Sequence, residues 1–143
     1  MSWFRIAPAA LLALALALPA AGVPSIEGAW RPELFTLKDG TEHEVTGLIF
    51  FTEIDWTVLF FVKGQAGALE RASGEGGTYT LDGGRLVFTH LYHLSGGSTP
   101  VKMSVKSAEE AETEPCRIEI AADELTIHFP SGNRMRFRRS SGS

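Results

Sequence analysis

Residues 77–93 read GTYTLDGGRLVFTHLYH, and this stretch decides the fold. Two runs that alternate apolar with polar flank Asp82-Gly83-Gly84, the signature of a β-hairpin on a tight turn. A two-residue turn at Gly83-Gly84 pairs Asp82 with Arg85 and Leu81 with Leu86. Side chains on a strand alternate between faces, so Tyr79, Leu81, Leu86, Phe88, His90 and Tyr92 fall on one side. The opposite phase turns Val87, Thr89, Leu91 and His93 inward and leaves Phe88 and Tyr92 outside. The first is preferred because it buries two aromatic rings.

Working outward, the same texture repeats in both directions. Short segments rich in Val, Ile, Thr, Phe, Tyr and Trp span 28–37, 46–52, 56–62, 77–82, 85–93, 100–106, 116–120, 124–129 and 134–138. Turn residues separate them, at Asp39-Gly40, Glu53 to Asp55, Gly64 to Gly67, Ser95-Gly96-Gly97, Ala121 to Glu124 and Ser131-Gly132-Asn133. Two further hairpins keep apolar residues opposite one another. The Ala121–Glu124 loop sets Ile120 against Leu125, Ile118 against Ile127 and Cys116 against Phe129. The Ser131–Asn133 loop sets Ile127 against Phe137, Phe129 against Met135 and His128 against Arg136. Only Ser107 to Glu114 admits a helical turn, and its four glutamates read as a solvated acidic loop. The expected fold is all-β, a single antiparallel up-and-down barrel of about eight strands.

The two ends of the chain say different things. Met1 to Arg5 carries one positive charge, Ile6 to Leu18 is an apolar run of mostly Ala and Leu, and Pro19-Ala20-Ala21-Gly22 is a small-residue exit. That order is the pattern of a secretory signal peptide over residues 1–22, cleaved near Gly22. Pro19 interrupts the run before it reaches the ~20 residues a membrane span needs, and no cysteine stands at the expected cleavage site to carry a lipid. Residues 23–143 are then one domain, secreted or periplasmic. One cysteine, Cys116, excludes an internal disulfide. Losing Arg5 takes the formal charge from −4 to −5, which offers nothing to nucleic acid or to an anionic membrane.

Gly28-Ala29-Trp30, at the start of the first strand, resembles the Gly-x-Trp that opens the first strand of lipocalins and related calycin barrels. Ile26 to Arg31, Asp39-Gly40, Gly47-Leu48-Ile49-Phe50, and Gly77 to Leu81 followed by Asp82-Gly83-Gly84 are similar to the bacterial lipocalin-like domain family across the whole mature chain. The resemblance implies a barrel whose closed end is formed by Trp30 beneath a late arginine, here Arg136 or Arg138, with Gly28 and Trp30 in structural roles.

No nucleophile elbow, phosphate loop, zinc-protease or dinucleotide motif occurs, and Asn133 is not a glycosylation acceptor. His90 and His93 are three apart, so on a regular strand they face opposite ways and no metal is expected there. Glu42-His43-Glu44 reads as a loop, Glu53 and Asp55 as hairpin-tip residues, and Cys116 as a buried thiol. What remains is an inward aromatic set. Phe50, Phe60, Tyr79, Phe88, His90 and Tyr92 are the expected ligand-binding residues, with Trp56 beside them, and the polar tips of His90, Tyr79 and Tyr92 orient one polar group. The preferred function is an exported monomer that holds one small hydrophobic molecule, without turnover and without a cofactor. The alternatives are a cavity enzyme of the isomerase or cyclase type, using His90 with Tyr92, and an envelope interaction protein whose barrel is solid.

Overall fold

A computed structural model describes residues 24–141, and the signal-peptide assignment lies outside them. The strands are β1 (Gly28–Thr36), β2 (Glu42–Phe51), β3 (Asp55–Lys63), β4 (Leu69–Asp82), β5 (Arg85–Gly97), β6 (Lys102–Val105), β7 (Glu112–Ala121), β8 (Glu124–His128) and β9 (Arg134–Arg139). All pairings are antiparallel, in the order β4-β3-β2-β1-β9-β8-β7-β5-β6, and an added β4–β5 pairing closes the ring. Eight strands make the barrel, and β6 is a flap paired with the outer half of β5.

The expected all-β barrel is therefore present, and so is the Gly83-Gly84 hairpin with Asp82 opposite Arg85 and Leu81 opposite Leu86. Gly83 takes φ +58, the positive value such turns require. Closure follows from the alternation of each strand. Val45, Ile49 and Phe51 of β2 face in, as do Trp56, Val58 and Val62 of β3, Cys116 and Ile118 of β7, Leu125 and Ile127 of β8, and Met135 and Phe137 of β9.

Several expectations about the strands need correction, among them the loop at Glu42-His43-Glu44, which instead opens β2. The first half of β4, Leu69 to Gly76, is strand, although LERASGEG carries almost no β-branched or aromatic residue. Its pairing with both β3 and β5 supplies what local preference does not. In the β8–β9 hairpin Ile127 faces Met135 and Leu125 faces Phe137, two residues away from the expected register. Phe129 belongs to the loop, where its N–H donates to Asn133 O at 2.9 Å. A slip of two residues keeps every side chain on its own face, so the apolar pattern is blind to it. Finally, Glu112 and Glu114 are strand residues of β7, and the acidic turn is confined to the residues before them.

The interior is filled at one end only. Trp30, Phe51, Leu86 and Leu125 are fully buried there, and the Trp30 indole N–H donates to Ile26 O at 2.7 Å. The Arg139 guanidinium lies over the Trp30 ring, 4.0 Å from its centre. Arg136 and Arg138, the expected cover, are on the outer face, where both meet Glu33 and Arg138 also meets Glu124. Met135 and Phe137 face in, so the inward phase of β9 reaches Arg139 and skips its two predecessors.

Candidate functional site

The other end of the barrel is hollow. An open cavity of about 820 Å³ is lined at its polar end by residues of β4, β5, β7, the flap β6 and the Phe129–Asn133 loop, and reaches Trp56, Phe88 and Phe137 above the filled end. Its walls are apolar below, with Val58, Phe60, Ile127 and Met135, and charged towards the mouth.

The charged part is built by a β-bulge. Gly76 faces Tyr92 while Gly77 faces His90, so Leu91 is an extra residue on β5. Gly77 permits this because a Cβ there would stand 1.9 Å from Thr89 O. The freed Leu91 carbonyl accepts from Lys106 N at 2.8 Å. Beyond the bulge the phase of β5 reverses, and His93 joins His90 on the inner side. His90 and His93, expected on opposite faces, therefore share one, because Leu91 is the extra residue between them.

Glu75 of β4 sits between the two imidazoles. Its Oε2 is 3.1 Å from His90 Nδ1 and its Oε1 is 3.6 Å from His93 Nδ1, and Ser73 Oγ donates to Oε1 at 2.8 Å. Glu114 of β7 approaches His90 from the far side, 3.5 Å from Nε2. His93 Nε2 lies 3.0 Å from Ser95 Oγ. Hydrogen bonds that the imidazole donates to Glu114 and Glu75 hold the His90 proton against the cost of burial and push its pKa up to about 9. Glu75 is held below the ordinary carboxylate range: desolvation pulls it upward, and His90, Ser73 and His93 together outweigh that. At neutral pH the corner is an imidazolium between two carboxylates. No group of three or more His, Cys, Asp or Glu side chains among the described residues has the arrangement to hold a metal ion.

The expected ligand residues divide. Phe60, Phe88 and His90 stand on the cavity wall. Phe50 does not: it points outward, 42% exposed, because Phe51 is the residue of that pair in phase with Ile49. Tyr79 sits in the filled half, edge-on to Phe51 at 5.3 Å, and its hydroxyl donates to Thr52 O at 2.7 Å. Tyr92 is turned out by the bulge and reaches only the rim, 55% exposed. Glu75, Glu114 and His93 are the residues that sequence reasoning missed. Glu114 was within reach, since it is in phase with Cys116, Ile118 and Ile120. Glu75, in a run of glycines, carried no such signal.

This is the architecture of lipocalin-like barrels: a closed antiparallel ring with one capped end, one open end and an internal cavity. The chain superposes on a lipocalin-like protein from Bacteroides uniformis with TM-score 0.50, 16% identity, and coverage of 80% of this chain and 98% of that one. An uncharacterized protein from Bacteroides eggerthii matches with TM-score 0.50 and 14% identity over 81% of this chain and all of its own. No protein-family model and no curated protein matches the sequence. The fold is shared with these proteins.

Proposed function

We propose that the protein is exported and carries or scavenges one small, mostly apolar molecule in the open half of its barrel. The observation that carries this reading is the cavity of about 820 Å³, within the roughly 300–1,000 Å³ range of small-molecule sites. Its floor is aromatic and aliphatic, and Glu75, His90 and Glu114 stand together on one wall, a division between affinity and orientation common in small-molecule sites. The apolar leader at residues 1–22 supports export to the periplasm or beyond. Titration with an environment-sensitive apolar fluorophore should show saturable binding with one molecule per chain. The absence of binding across a broad apolar panel would remove the carrier reading. N-terminal sequencing of secreted protein should begin between Ala21 and Val23, whereas an intact Met1 in a membrane fraction would overturn export.

A second reading, turnover inside the cavity, draws on His90 alone. Held protonated between two carboxylates, it would serve as a general acid rather than a base. Mass spectrometry of ligand recovered after incubation separates the two readings: an unchanged ligand supports the carrier, a rearranged one the enzyme.

A further inference from the structure

On the outside of the barrel, in its open half, the strands β3 to β6 present one apolar face. Leu59 of β3, Tyr92 and Leu94 of β5, and Met103 and Val105 of β6 are between 51% and 80% exposed, with Val101 at 65% just before β6. Tyr92 pairs with Val105 and Leu94 with Met103 across the β5–β6 ladder. β4 passes between β3 and β5 with bare backbone at Gly74 and Gly76, which leaves a furrow of about 580 Å³ walled by Thr57, Tyr92, Leu94, Met103 and Val105. The outward positions in between are threonine, alanine, glycine and phenylalanine, so no charge interrupts the face. An exposed apolar patch of this extent marks an interaction site.

The edge beside this face is open as well. Among the described strands, only β5 pairs with β6, and it takes up one side. Lys106 N–H donates to Leu91 O. Alternation along an antiparallel ladder then turns the backbone of Ser104 and Lys102 towards β5, and that of Met103 and Val105 away from it. We propose that a second copy of this chain covers the face, joined by antiparallel pairing of the two β6 edges about a two-fold axis at Met103. In that register Met103 meets its own equivalent, Val101 of one protomer lies opposite Val105 of the other, and Lys102 lies opposite Ser104. Like faces match, because Lys102 and Ser104 line the cavity while the other pairs extend the outer apolar face. No like charges meet, so copies of a chain with net charge −4 approach here without repulsion. Six side chains, each more than half exposed, supply the apolar centre of an interface of standard size, about 800 Å² per partner. A lipid surface fits less well, because the N–H and C=O groups of a free strand edge find no partner in hydrocarbon. A second β6 satisfies them. This interface is independent of the carrier reading, and it makes the protein a dimer where the sequence led to a monomer.

Sedimentation equilibrium of the purified protein at micromolar concentrations should show a monomer–dimer equilibrium. Met103→Lys sets two ammonium groups together at the axis and should weaken association on the order of a hundredfold or more. Met103 is 76% exposed, so the circular dichroism of the variant should stay that of the parent. Met103→Glu should also be monomeric alone, and a mixture of the two variants should form a mixed dimer, because residue 103 meets itself across the axis. General apolar stickiness does not produce that rescue. A parent that stays monomeric overturns the dimer without any substitution. A dimer that survives Met103→Lys, or variants that fail to associate when mixed, overturn the pairing through β6. Flotation of a monomeric parent with neutral phosphatidylcholine vesicles would overturn it in favour of a lipid surface.

Discussion

Arg139 and Trp30 are cross-strand partners, and the guanidinium lies over the indole with 4.0 Å from its carbon to the ring centre. Its Nη1 donates to Glu27 O at 2.9 Å and its Nη2 to Ser25 O at 2.7 Å. One side chain thereby seals the filled end and ties the segment before β1 across it. Gly28, at φ +109 and with Arg139 Nη1 3.5 Å from where a Cβ would stand, lets the chain pass beneath.

Arg139→Ala should lower stability by about 2–3 kcal/mol through loss of the cation–π contact and two charged hydrogen bonds. Arg139→Lys should recover only part, because an ammonium cannot stack and fork together. Arg138→Ala, which removes exposed pairs to Glu33 and Glu124, should cost less than about 1 kcal/mol. Urea denaturation of the three variants checks the order.

Trp30→Ala should cost about 3–5 kcal/mol, since it empties the centre of the filled end and strands Arg139. Chemical denaturation monitored by circular dichroism reads the loss. A variant as stable as the parent would place Trp30 outside the core.

Stability should fall on the alkaline side. The His90 pKa is raised from 6.5 to about 9, so its contribution is complete below about pH 6.5 and is lost as pH rises through about 9, by of the order of 3 kcal/mol. Glu75 is shifted down, and its contribution is lost as the medium becomes more acid than the ordinary carboxylate range. Denaturation midpoints across pH should therefore peak between about pH 5 and 6.5. His90→Gln should flatten the alkaline limb.

Val58→Phe should reduce ligand binding with little change in stability, because the larger side chain grows into open cavity rather than into packed core. A fluorophore titration paired with a thermal melt separates the two effects.

Burial pushes the Cys116 thiol up to about 12, and the residue is buried. Maleimide should fail to label it in native protein at neutral pH and label it fully in denaturant. Native labelling at a rate near that of free cysteine would show that β7 opens.

Much of this protein was legible along the chain. The alternation in each strand and the turn residues between them predicted the meander, the Gly83-Gly84 register and the inward setting of Trp30, Trp56, Phe88 and His90, because all of these depend on neighbours within a few residues. Three features were not local. The β8–β9 register preserves face parity under a two-residue slip, so only loop geometry at Phe129–Asn133 chose it. The arginine over Trp30 is decided by the β1–β9 pairing, which joins chain ends more than a hundred residues apart. The cavity corner needs the extra residue at Leu91, and that bulge exists because Gly77 lets β4 and β5 approach too closely for any side chain. Period-two patterning determines which residues can face inward. The bulge at Leu91, a feature of the β4–β5 pairing and not of the period-two pattern, decided that His93 would join His90 beside Glu75 and that Tyr92 would turn away.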